Sequence, residues 1–111
     1  MESRRRERVP LKENVICEGY KSKVEGHDIK TPFEFEIQDL SYGGMRIQLA
    51  HLLHKYDHLE FKLSYGRHQK YFVGEVQWCK IRKSNCVSGV QFVDLTRDDV
   101  IFLYAYLKSI T

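Results

Sequence analysis

Two short segments of this 111-residue chain carry side chains suited to ligand chemistry. Arg4, Arg5, Arg6 and Arg8 crowd the N-terminus around Glu7, and about thirty residues further on stands Asp39-Leu40-Ser41-Tyr42-Gly43-Gly44. A guanidinium presents a planar fork of donors that binds a phosphate bidentately or lies against an aromatic face, and lysine does only part of this. The second segment supplies complementary groups. A carboxylate accepts hydrogen bonds from the N–H edge of guanine, a hydroxyl and exposed amides suit a phosphate oxygen, and glycines let backbone approach a ligand closely. Paired, the segments suggest a site for a phosphorylated, guanine-bearing ligand. Alone, each has a plainer explanation. Charged termini are commonly solvated, and Asp, Ser and Gly are ordinary turn residues, with Asp39 and Ser41 able to bond local backbone and Gly43 or Gly44 able to take positive φ.

The elements that must hold these residues follow from hydrophobic period. Phe33, Phe35 and Ile37 alternate with Glu34, Glu36 and Gln38, while Met45, Ile47 and Leu49 alternate with Arg46 and Gln48, as half-buried strands do. Leu59 to Tyr65 repeats the pattern, and Gly66 to Gln69 reads as a hairpin loop into a long strand from Lys70 to Arg82. A turn at Lys83-Ser84-Asn85 leads to a strand from Val87 to Val93. The first strand is expected over Leu11 to Tyr20, with Lys21 to Lys30 as a polar connection. Near the end the period changes. Thr96 and Asp99 make a capping signal, and Val100, Leu103, Tyr104 and Leu107 fall on one face of a helix over about 96–109. Short strands with tight turns and one apolar face each imply an all-β fold, a small antiparallel barrel closed by one C-terminal helix.

Composition bounds the rest. The length suits one domain, with residues 1–8 expected as a mobile arginine-rich arm and 9–111 as the barrel and its helix. Formal charge is +3, from 18 Lys and Arg against 15 Asp and Glu, too modest for a dedicated nucleic-acid binder. Most of the excess lies in residues 1–13, with five positives against three negatives. No apolar run reaches the roughly 20 residues of a membrane span, and no apolar stretch follows the arginines as in a secretory leader, so a cytoplasmic location is expected. Cys17, Cys79 and Cys86 are odd in number with no CxxC spacing, and are read as reduced, mostly buried thiols without a zinc site.

At this point the residues resemble a known family. An RxxxR element before the first strand and a DxSxxG element between the second and third resemble those of PilZ domains, and here they read Arg4-Arg5-Arg6-Glu7-Arg8 and Asp39-Leu40-Ser41-Tyr42-Gly43-Gly44. The similarity continues through Gly74-Glu75-Val76-Gln77-Trp78 and Gly89-Val90-Gln91-Phe92, and covers essentially the whole chain. The resemblance implies a six-stranded β-barrel that binds the bacterial second messenger cyclic diguanylate (cyclic di-GMP). It implies that Arg4, Arg5 and Arg8 hold phosphates and guanine faces, that Asp39 bonds a guanine edge, and that Ser41 contacts a phosphate or guanine. Gly44, assisted by Gly43, keeps the loop open to the ligand. Arg6 occupies a variable position of the motif. On this reading a dianion pins the arm against the barrel, exchanging disorder for charge-assisted hydrogen bonds, and the switched state acts on a protein partner in motility, exopolysaccharide or pilus regulation. A monomer or a ligand-dependent dimer is compatible with it.

Other conspicuous residues take structural readings. His51, His54 and His58 have ligand-like spacing but no supporting carboxylate or cysteine pattern, so no metal or cofactor is expected. Tyr71, Phe72, Trp78 and Phe92 are expected in the barrel core, and one or two of Phe102, Tyr104 and Tyr106 are expected at the surface. No Ser-His-Asp setting, paired carboxylates or P-loop marks an enzyme. The alternatives are a PilZ-type interaction adaptor that binds no nucleotide, and an arm that binds RNA or an anionic membrane with steep salt dependence.

Overall fold

The computed structural model describes residues 8–111. Six strands follow in order: β1 (Val9–Lys21), β2 (Phe33–Leu40), β3 (Gly44–Leu49), β4 (His58–Tyr65), β5 (His68–Arg82) and β6 (Asn85–Phe92), and then one helix, α1 (Arg97–Ile110). All pairings are antiparallel, and the spatial order β1-β2-β3-β6-β5-β4 closes on itself. Closure joins β1 to β4 through pairs such as Cys17 with Phe61, so the sheet has no free edge. The expected six-stranded barrel with a C-terminal helix is the fold observed.

Alternation accounts for the interior. Phe35 and Ile37 on β2, Met45 and Ile47 on β3, Leu59, Phe61 and Leu63 on β4, and Val76 on β5 all point inward and are almost wholly buried. Phe61 sits at the centre of this core, its ring 5.6 Å from Phe35, 6.2 Å from Phe72 and 6.1 Å from Phe92. Two aromatics expected there are elsewhere: Phe72 and Phe92 are buried, whereas Tyr71 and Trp78 are exposed. Tyr71 alternates with the inward Phe72. Trp78 follows an irregularity between Val76 and Trp78 that shifts the strand by one residue, which sends Trp78 to the outer face.

The helix begins at the expected capping box, with the Asp99 amide donating to Thr96 Oγ1 and the Thr96 amide to Asp99 Oδ2. Its buried stripe is Phe102, Leu103, Tyr106 and Leu107, so of the expected face only Leu103 and Leu107 are interior, while Val100 and Tyr104 are exposed. The rotation follows from packing: Phe102 and Tyr106 lie 5.1 and 6.1 Å from Tyr65, closing one end of the barrel with aromatic rings.

Cysteine pairing also departs from expectation. Cys79 and Cys86 are joined in a disulfide, their Cα atoms 6.5 Å apart, and Cys17 is a free, buried thiol. In the β5–β6 hairpin Cys79 opposes Ser88 and Ile81 opposes Cys86, so the two cysteines are diagonal neighbours, a relation that depends on strand register. Burial pushes the Cys17 thiol up to about 11. The three histidines go separate ways. His51 packs on Phe33, His54 on His27, and His58 Nε2 lies 3.2 Å from Glu75 Oε2. Among the described residues no helix is long and apolar enough to cross a membrane.

Candidate functional site

Strand register brings the described part of the first motif onto the second. Val9 pairs with Leu40 and Pro10 with Asp39, and irregularities in β1 between Pro10 and Glu13 and in β2 between Ile37 and Asp39 bend both strand ends where they meet. Arg8, one residue before β1, therefore stands over Asp39. Its Nη1 donates to Asp39 Oδ1 at 2.6 Å across 31 residues of sequence. The pair sits at the surface, with the Arg8 side chain 52% and the Asp39 side chain 19% exposed. Arg4, Arg5 and Arg6, and with them all of the expected arm except Arg8, lie outside the described residues.

After Asp39 the chain turns through Ser41 to Gly44. The Ser41 amide donates to the Gly44 carbonyl at 2.9 Å, the Ser41 hydroxyl donates to the same oxygen at 3.3 Å, and the Phe92 amide donates to the Gly43 carbonyl at 2.9 Å. Ser41 is buried, which makes it the internal brace of this turn. The two glycines differ. Neither takes the positive φ that a turn glycine can use. A Cβ on Gly43 would meet open space, whereas one on Gly44 would lie 2.2 Å from the Val90 carbonyl oxygen on β6. The requirement at Gly44 is thus close approach of β3 to β6.

Beside this turn lies a groove of about 460 Å³, lined by Arg8, Ser41, Gly43 and Gly44 and by residues the sequence reading did not single out for a site: Gln77, Trp78, Gly89, Val90 and Gln91. That volume falls within the roughly 300–1,000 Å³ of small-molecule sites. Trp78 is 41% exposed and opposes Gly89, where a Cβ would come within 2.2 Å of the indole nitrogen. Glycine there lets the indole lie against the strand as an aromatic wall. The signal was present in sequence as Trp78 and Gly89 on neighbouring strands, but their opposition needs the β5–β6 register.

Asp39 at the end of β2 and Ser41, Gly43 and Gly44 in the turn after it thus lie close together, with Arg8 bonded to Asp39. The family model of the PilZ domain matches residues 2–109 of the chain. The chain belongs to the PilZ domain family. Comparison with curated proteins finds no match. In this PilZ domain the groove is lined by a guanidinium, two glutamine amides and an indole face, with the Asp39 carboxylate beside it, bonded to that guanidinium. Such a set can bond the edge of a base, support its ring by stacking and hold a phosphate.

Tyr42, between the motif's Ser41 and Gly43, faces away toward the helix. Its ring stacks on Tyr104 of α1, with centroids 6.3 Å apart and planes inclined by 11°. The turn that borders the groove is thereby in contact with the outer side of α1, where Val100 and Ile101 are also exposed.

Proposed function

We propose that this PilZ domain is a non-catalytic receptor for cyclic diguanylate in the bacterial cytoplasm, coupling the bound messenger to a protein partner. The observation that carries the reading is the Arg8–Asp39 contact beside the groove, which sets the last arginine of the first motif against the first residue of the second. In the proposed complex Asp39 accepts from a guanine edge, Arg8 together with Arg4 and Arg5 holds phosphates, Trp78 supports a base, and Ser41, Gly43 and Gly44 shape the turn. Arg8 is bound to Asp39 only through an exposed ion pair, worth about 0–1 kcal/mol, so a ligand phosphate can draw it away at little cost. The Tyr42–Tyr104 stack offers a mechanical link from the turn to the helix surface.

Calorimetric titration of the full chain with cyclic diguanylate, GTP and single-stranded RNA at two salt concentrations tests the proposal. Saturable binding of the cyclic dinucleotide in preference to both competitors is the expected result. Absence of that binding leaves the nucleotide-free adaptor, and equal, steeply salt-dependent binding of RNA leaves the basic-arm reading.

A further inference from the structure

The outer face of β6 runs on past the groove just described. By the strand period of two, Asn85, Val87, Gly89 and Gln91 share one face. Gly89 and Gln91 belong to the first groove, and Asn85 and Val87 to a second, of about 630 Å³. Arg46 stands at the boundary, paired in register with Asp39 on one side and Gly89 on the other. The end of β5 and the turn after it add Arg82 and Lys83 to the second groove, and Gln38 and Gln48 form its wall, their amides bonded to each other at 2.7 Å.

Charge and hydrogen bonding indicate what this groove takes. No carboxylate lines it, and among the described residues Arg46, Arg82 and Lys83 form no ion pair. The Arg46 Nε–H is buried and has no hydrogen-bond partner among them. Buried donors are ordinarily satisfied, and a guanidinium finds its best acceptor in an oxyanion. We propose that the second groove is a phosphate subsite, in which Arg46, Arg82 and Lys83 bind the oxygens of a phosphate ester. That ester has two sources: a phosphodiester of the ligand in the first groove, reaching past Gly89, or a separate phosphorylated molecule. Only the first source rests on the function proposed above.

The test is nuclear magnetic resonance titration of the full chain with sodium pyrophosphate and, separately, with cyclic diguanylate, at constant ionic strength set by sodium chloride. The proteins are the natural chain, Arg46→Ala and the double variant Arg82→Ala/Lys83→Asn. Asparagine is chosen at position 83 because the backbone there has φ 55°, which asparagine tolerates. Pyrophosphate is expected to shift the amides of Ser84, Asn85 and Val87 saturably, with affinity reduced at least tenfold in the double variant and in Arg46→Ala. Arg82, the last residue of β5, and Lys83, in the turn after it, are both exposed, so the double variant tests the proposal even if Arg46→Ala does not fold. Weaker cyclic diguanylate binding in the double variant identifies the dinucleotide as the source, and unchanged binding identifies a separate phosphate ester. If cyclic diguanylate fails to bind while pyrophosphate still titrates Ser84 and Asn85, the function proposed above falls and the subsite stands. No saturable shift in the natural chain, or equal affinity in the double variant, overturns the subsite.

Discussion

Arg8 and Asp39 are exposed enough that their mutual attraction contributes little to stability, so substituting them separates folding from binding. Arg8→Ala and Asp39→Ala are expected to weaken cyclic diguanylate at least tenfold by calorimetry, about 1.4 kcal/mol, while thermal unfolding shifts by only a few degrees. Equal affinity in both variants would remove the motif residues from the site. The paired glycines make the opposite kind of test. An added methyl at Gly44 meets the Val90 carbonyl 2.2 Å away, backbone that cannot swing aside, whereas at Gly43 it meets nothing. Gly44→Ala is expected to cost about 1–3 kcal/mol in urea unfolding, and Gly43→Ala to be neutral or slightly stabilising. Both glycines were legible in the sequence as motif residues, but their different reasons were not, because only β6 crowds one of them.

At the scale of elements, α1 is tied to the barrel by its first turn. Burial tends to raise the Asp99 carboxyl, but its bonds to the Thr96 amide and hydroxyl, with Lys70 Nζ 3.3 Å away on β5, hold it below the usual value of 3.8. A carboxylate with a depressed pKa adds stability that is present above its unfolded value and is lost as pH falls through the folded one. Asp99→Ala should therefore destabilise the protein by about 0.5–1 kcal/mol at pH 7. The difference should shrink as pH drops below about 4, measured by urea unfolding across pH. A penalty constant down to pH 2 would show that the cap's charge contributes nothing. This element was readable from Thr96 and Asp99 alone, because capping is decided within one turn. Which face it buries was not, because Tyr65 and Phe72, against which Phe102 and Tyr106 pack, come from distant strands.

At the scale of the whole molecule, the barrel closes around a compact aromatic centre. Phe61 is fully buried and touches rings from β2, β5 and β6, so Phe61→Ala is expected to cost about 3–5 kcal/mol and to lower the unfolding midpoint sharply. A loss under 1 kcal/mol would mean that the closed barrel is wrong. Fold class, strand sequence, helix cap and both motifs were set by the chain itself, since alternation, turn chemistry and capping act between residues a few positions apart. The site as a place was not. Arg8 reaches Asp39, Trp78 becomes a groove wall opposite Gly89, Arg46 stands between two grooves, and Cys79 meets Cys86 only through cross-strand register and the irregularities that shift it. Register is a property of strand pairs brought together by barrel closure, and one residue of slip would turn each of these side chains to the other face.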